Sequence, residues 1–390
     1  MAIVIRVVAV AVLVAGPFTD QPSELSGWDA ERFQEIADRT SPAWAGEPVE
    51  YPPGSVAVFD LLAGADVVAT NRAIVVFSAP AELVGVAVLK QFFGARAAKA
   101  FLILGVPLVP MGLLRLDMAV TALAIGAAAA LLGRANQQTG STGSGSMLFA
   151  TLTVVGAAIK IWPALLLVGA LGLRRRAAAA LAIVLGGLVG LGWLATTGAG
   201  LEPLDQVLSL RGATGWHVES LPGALVSLFS DDEARLELNA FRIGAISDGL
   251  VLFGRILAVA VMVGLGAVSA RGANESSSPT RRLALVMIGA VSALLVTAPL
   301  LSPQFLLWLT PWAALLLADR HSKSDSKSES QLTVGLVALA VTLTGVTLTA
   351  FGPANLTQAV PALLLTVRNL ALAFLPVACL AQLRSELGEG

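Results

Sequence analysis

"SGWDAERFQEIADRTSPAWAGEPVEYPPG", Ser26 to Gly54, is the most polar long stretch near the start of the chain, and it separates the first two apolar runs. Its first half places Trp28, Phe33, Ile36 and Ala37 on one side of a helix and Asp29, Arg32, Glu35 and Arg39 on the others. That is the pattern of a short helix lying in a membrane interface. Asp29 falls near the helix start, where it or Ser26 can cap the first turn; on spacing alone a cap, a solvated carboxylate and a functional acid all remain open. In "EPVEYPPG" two prolines follow Tyr51, the only tyrosine. They fix a stiff segment that returns the chain to the bilayer with Glu50 held at its surface.

The surroundings of this stretch decide its solvent. Of 390 residues, 56% are hydrophobic and 13% charged, and the mean hydropathy is +0.80. Apolar runs recur from end to end, many approaching the roughly 20 residues that span a bilayer as helix. A soluble globular protein is excluded, and a single all-α polytopic membrane domain over residues 1–390 is predicted. Spanning segments are expected near 3–17, 73–89, 98–112, 116–132, 147–159, 161–173, 177–197, 250–270, 283–301, 305–318, 332–351 and 359–381. The opening run reads as an uncleaved helix rather than a signal peptide. Cys379, the single cysteine, excludes a disulfide and a cysteine-based metal site and reads as a small buried apolar residue. The net charge of -1 points to no partner, and no nucleic-acid ligand is expected.

With the N-terminus inside, 15 of the 25 Lys and Arg residues fall on the inner side and 8 on the outer. This follows the positive-inside rule and predicts a plasma-membrane protein with both termini cytoplasmic. The inner connections, "ANQQTGSTGSGS", "RGANESSSPTRR" and the cytoplasmic linker 319–331, are low-complexity and solvated. The two long outer loops, 19–72 and 198–249, carry Trp, His and paired charges, so function is expected on the outer face.

Other polar groups meet the same plane. "GLLRLDMAV" sets Arg115 and Asp117 in one turn, where they either pair with each other or face a site. "AAIKIWPALL" sets Lys160 at a helix end, snorkelling or functional; "APLLSPQFLLW" sets Ser302 and Gln304 at another break. The second long loop holds "SLRGATGWHVESLPGALVSLF", with Arg211, Trp216, His217 and Glu219. His217 is a surface group or a ligand contact, and one histidine is too few for a metal unless carboxylates supply the other ligands; His321, in the inner linker, reads as inert. Ionisable residues at membrane depth are costly unless paired or wetted, which makes these groups site candidates.

Taken in order, "WDAERFQEIAD…EPVEYPPG", "LLRLDMAVTAL", "GAAIKIWPALLL…LRRR", "RGATGWHVESLPGA" and "LSPQFLLWLTPW" resemble the actinobacterial glycosyltransferase family 87, over nearly the whole chain. That family includes polyprenyl-phosphate-mannose-dependent alpha-mannosyltransferases. The resemblance implies a GT-C fold of about 10–12 transmembrane helices, with an interfacial helix in the first outer loop supplying a catalytic carboxylate; the matching position is Asp29. Family members commonly show "PYRD" before "EYPP", where this chain has "WAGEP".

The resemblance further implies an inverting hexosyltransferase. The donor is a polyprenyl-phosphate sugar, the acceptor a lipid or glycolipid hydroxyl, and Asp29 the general base. Arg115, Lys160, Arg211 and His217 are the candidates for the donor phosphate. Glu50, Tyr51, Asp117, Trp216, Glu219 and Gln304 are candidates for positioning substrate. No cofactor or essential metal is expected, because a monophosphate leaving group facing several cations can do without one. The rival readings are a transferase of another lipid-linked sugar such as arabinose or glucose, a transporter, and a scaffold. A transporter usually shows repeats, and none is evident.

Overall fold

The structure, a computed structural model, describes residues 1–15, 27–41, 43–44, 48–133, 142–198, 200–209, 212–272, 278–319 and 324–387. In chain order the helices are α1 (Ala2–Ala15), α2 (Gly27–Ala37), α3 (Pro53–Leu62), α4 (Val67–Val88), α5 (Ala95–Leu104), α6 (Val109–Leu113), α7 (Asp117–Leu132), α8 (Thr142–Ile159) and α9 (Leu166–Gly172). They continue as α10 (Arg176–Thr197), α11 (Glu202–Ser209), α12 (Leu221–Phe229), α13 (Asp248–Arg271), α14 (Pro279–Thr297), α15 (Thr310–Ala318), α16 (Ser324–Phe351) and α17 (Ala359–Ser385). This is the expected all-α polytopic membrane bundle. Among the described residues six helices are long and apolar enough to cross a membrane, or seven if α5 and α6, bent by 48°, form one span. The remaining expected segments are also helical but shorter.

α14 is the axis of the bundle. Its residues Leu283, Ala284, Leu285, Val286, Met287 and Ile288 are wholly buried, and it packs on α13, α15 and α17. α10 and α13 instead turn Leu188, Leu191, Ile256 and Val263 outward, as lipid-facing helices do. Lipid gives little hydrophobic reason for helices to associate, so close approach must supply the packing. Gly345 provides one such approach: a Cβ there would stand 2.7 Å from the Pro107 carbonyl oxygen. Arg6 of α1, one of the basic residues assigned to the inner side, is buried and donates to Glu82 of α4 at 2.6 Å.

The polar segments between helices are more structured than their sequence suggests. α3 occupies part of the first expected outer loop, and α4 begins at Val67, inside it. The second loop contains a three-stranded antiparallel sheet of β1 (Trp216–His217), β2 (Arg235–Glu237) and β3 (Ala240–Ile243), in the order β1-β3-β2. The two loops are tied together by Gln206 of α11. Its Oε1 accepts from the Val49 amide (2.9 Å), and its Nε2 donates to the Trp44 carbonyl (3.2 Å).

Candidate active site

α2 positions the first site residue through its apolar stripe. Ala30, Phe33 and Ile36, spaced by three, are buried. Phe33 stacks on Phe59 of α3 (4.2 Å between centroids) and meets Tyr51 edge-on (5.7 Å). The stripe is thus covered by protein rather than by lipid, and this contact sets the roll of the helix. With that roll, Asp29 in the first turn and Arg32 in the next line a cleft. The Asp29 carboxylate pairs with the Arg115 guanidinium, the two side chains being 26% and 12% exposed. Arg115 sits in the turn before α7, where its carbonyl accepts from Ser78 Oγ at 2.8 Å.

The possible Arg115–Asp117 pair is therefore corrected. Asp117 opens α7, while Arg115 precedes the helix, so the two side chains leave the backbone in different directions. Asp117 is fully buried; its Oδ1 accepts from Trp308 Nε1 (2.7 Å), and its Oδ2 lies 3.2 Å from Lys160 Nζ. Lys160 follows the C-terminus of α8, the end of a helix that favours a cation. Its Nζ stands 5.3 Å from the Phe305 ring and 6.0 Å from the Tyr51 ring. Trp308 in turn stacks between Trp162 (5.3 Å) and Phe305 (4.4 Å), so an aromatic stack backs the Lys160–Asp117 pair.

Glu50 receives two bonds from Arg32, at 3.3 and 3.0 Å, and Arg32 also donates to the Pro48 carbonyl (2.8 Å). This clamp fixes the segment that carries Tyr51. Burial, reinforced by Asp29 and Glu50, raises the Tyr51 hydroxyl well above its usual range, so it remains a protonated donor. Gly54 completes the approach: a Cβ there would meet the Ala158 carbonyl oxygen at 2.7 Å, and Ser55 Oγ donates to the Ile159 carbonyl. The glycine thus lets the end of the first loop close onto the residues next to Lys160.

The second loop adds His217, whose amide donates to the Pro299 carbonyl at 3.1 Å. Its Nδ1 accepts from the Glu219 amide (3.3 Å), which leaves the proton on Nε2. Burial, followed by the charges of Arg242 and Arg368, pushes its pKa down to about 3. It meets a phosphate or a hydroxyl only as a neutral N–H donor. Trp216 is buried away from the cleft lining. Glu219 is buried against Arg368 of α17 (2.8 Å), which also donates to the Glu219 carbonyl, as does Asn369 Nδ2 (3.1 Å). Burial raises the Glu219 carboxyl, and Arg368 opposes that rise. Gln304 Oε1 accepts from Ser302 Oγ at 2.7 Å, at the break before the Pro303–Leu309 turn. Arg211, Ser26 and residues 320–323 lie outside the described residues.

Asp29, Arg115, Lys160, Glu50, Tyr51, His217 and Gln304 thus converge on one cleft of about 550 Å³. Its charged end gives way to an apolar end formed by Ala258, Val259 and Met262 of α13 and Leu294 and Leu295 of α14. Such a cleft suits an amphiphile: cations for an anionic head, an apolar wall for a chain, and a carboxylate beside the head to take a proton. Sequence reasoning missed Trp162, Phe305 and Trp308, which read as ordinary apolar positions within spans, and Asn239 and Arg368. Among the described residues no group of three or more His, Cys, Asp or Glu side chains gathers as a metal site.

No family model and no curated protein sequence matches the chain. Two solved structures are similar to it in shape. The crystal structure of ArnT from Cupriavidus metallidurans in the apo state aligns with a TM-score of 0.47 at 14% identity, covering 99% of this chain and 76% of that one. The crystal structure of ArnT from Cupriavidus metallidurans bound to undecaprenyl phosphate aligns with a TM-score of 0.41 at 16% identity, covering 99% and 77%. Neither supplies a role for any residue here.

Proposed function

We propose that this chain is an integral-membrane glycosyltransferase of the GT-C type. It moves a hexose from a polyprenyl-phosphate donor to the hydroxyl of a lipid or glycolipid acceptor on the outer face of the plasma membrane. The observation that carries this reading is the Asp29–Arg115 pair at the charged end of a cleft whose other end is apolar. A membrane-bound donor needs cations for its phosphate at headgroup level and an apolar wall for its first isoprenoid units. The motif resemblance to glycosyltransferase family 87 favours mannose as the sugar.

In the reaction the acceptor oxygen attacks the anomeric carbon and its proton passes to the Asp29 carboxylate. The bond from that carbon to the phosphate oxygen breaks, and polyprenyl phosphate leaves with the bonding pair. Arg115 and Lys160 stabilise the charge that gathers on the phosphate as the bond lengthens; Arg115 can make a bidentate contact and Lys160 a point-charge contact. One displacement from the face opposite the phosphate inverts the anomeric centre. The Arg32–Glu50 clamp and the Tyr51 hydroxyl hold the rim beside the sugar.

The test is transfer of radiolabel from polyprenyl-phosphate mannose to a lipid acceptor extract in membranes carrying wild type or Asp29→Asn. Wild-type transfer that the variant loses while folding normally supports both the reaction and the base. Equal transfer by the two removes Asp29 from the mechanism.

A further inference from the structure

A second, smaller cavity of about 100 Å³ lies beside the large cleft, and among the residues that line both are Asp29, Arg115, His217, Asn239, Ser302 and Gln304. Two of the shared residues present side-chain N–H donors with no partner among the described residues. Gln304, 5% exposed, uses Oε1 on Ser302, and its Nε2 bonds to nothing described. His217, 8% exposed, uses Nδ1 on the Glu219 amide, and its Nε2–H likewise bonds to nothing described. Both residues line the cavity, so a ligand there can offer an acceptor atom to each donor. The rest of the lining includes the apolar Phe241, Pro353 and Leu356 together with Glu219. Donors together with apolar side chains match a sugar ring, which is polar at its hydroxyls and apolar across its C–H face.

The tip of the β2–β3 hairpin reaches both cavities. Leu238 lines only the large cleft, whereas Asn239 lines both. Both residues have positive φ, 52° and 58°, as a two-residue hairpin turn of the primed type requires. Asn tolerates that region, but Leu does not, at a cost of about 1–2 kcal/mol. A half-exposed leucine held in a strained conformation at the rim of a cleft is the kind of local cost found at functional sites.

We propose that the small cavity is the acceptor subsite, holding one hydroxyl-bearing sugar ring against Asp29, and that the Leu238–Asn239 tip separates it from the donor cleft and sets which ring fits. This rests on the donor reading of the large cleft, and the test separates the two. Cys379 is wholly buried, so the full chain offers a quiet background for introduced thiols. Pro353→Cys places a thiol on the small cavity, Ile161→Cys one on the large cleft, and Asn239→Cys one on their shared rim. Each variant, in membranes, is labelled with a water-soluble maleimide in the presence of methyl mannoside or of undecaprenyl phosphate.

The expected result is at least about fivefold slower labelling of Pro353→Cys with the glycoside only, of Ile161→Cys with the polyprenyl phosphate only, and of Asn239→Cys with either. Glycoside protection of Ile161→Cys alone, or of no position, overturns the acceptor subsite, whatever the lipid does. Protection of Pro353→Cys by undecaprenyl phosphate overturns the partition. Glycoside protection of Pro353→Cys with no lipid protection anywhere keeps the sugar-ring site and removes the donor assignment of the large cleft. Leu238→Gly adds a readout that a merely structural turn would not move. It relieves the strained φ without loss of thermal stability and shifts the acceptor KM at least about threefold; an unchanged acceptor KM overturns the role of the tip.

Discussion

Two ion pairs tie the two long polar loops of this protein to the rest of the chain, and they are built differently. Glu219–Arg368 is sealed, with side chains 4% and 0% exposed, and the guanidinium also bonds to the Glu219 carbonyl and to Asn369. Asp29–Arg115 is open, at 26% and 12%, on a cleft that Lys160 and Arg32 also line. The sealed pair is held by several bonds at once, so its removal is felt first as lost stability, although Glu219 also lines the small cavity. An open pair beside further cations can exchange partners when an anion arrives, and its removal is felt as lost chemistry. The same residue types therefore predict opposite phenotypes.

The largest effect belongs to the open pair. Asp29→Asn keeps the size of the side chain and removes its capacity to take a proton, so transfer falls by about 100- to 10,000-fold. Thermal unfolding in detergent shifts little, because a partly exposed pair contributes at most about 1 kcal/mol. A large drop in melting temperature with proportionate loss of activity would make Asp29 an anchor like Glu219.

The sealed pair gives the converse. Arg368→Met strands a buried carboxylate and lowers stability by about 3–5 kcal/mol, while the surviving folded molecules transfer at near the wild-type rate. Adding Glu219→Leu removes the stranded charge and restores most of the loss. Asp29→Leu added to Arg115→Met restores no transfer. A double variant at the sealed pair that is no better than the single one would break the distinction.

The sequence makes these two pairs unequally visible. The spans are legible because each is a run of apolar residues: each of the twelve expected segments contains helix among its described residues, and six or seven of the helices are long and apolar enough to cross a membrane. Loop breaks are legible too: the polar groups at 29, 50–51, 115, 160, 217 and 304 were assigned to one face by counting spans, and they share one cleft. Pairing was not legible. Arg115 and Asp117 are two residues apart yet bond to different partners, and Glu219 and Arg368 are separated by 149 residues, with the arginine hidden inside an apolar run. The sheet was invisible because strands of two to four residues carry no measurable period. The aromatic stack of Trp162, Trp308 and Phe305 is composed of residues that any membrane helix uses, so only geometry shows that it backs Lys160.

Gly54 is where the first loop docks on the end of α8. The atoms a Cβ would meet are backbone, the Ala158 carbonyl at 2.7–2.8 Å, which cannot swing aside as a flexible side chain would. Gly54→Ala is expected to cost about 1–3 kcal/mol through overpacking and to lift Tyr51 and Glu50 from Lys160. Transfer then falls more than stability does, with the donor KM rising before kcat drops. Loss of stability alone would place Gly54 with the sealed pair.

The smallest expected effect is a pH dependence within the second loop, and its sign identifies its source. His217 has its pKa pushed down to about 3 by burial and by Arg242 and Arg368. Below about pH 6.5 the unfolded imidazole takes up a proton that the folded one refuses. The unfolded state then binds more protons, and stability falls as pH falls, by up to about 1.4 kcal/mol per pH unit until the folded group titrates near 3. Glu219, the acidic neighbour, acts in the other direction: burial raises its carboxyl, so the folded state holds a proton longer and its contribution is lost as pH rises. Thermal unfolding followed between pH 7.5 and 5.5 should show acid-side loss in wild type that His217→Gln abolishes. If acid-side loss persists in His217→Gln, the histidine is not the neutral donor that both cavities share, and its place beside Asp29 would have to be reconsidered.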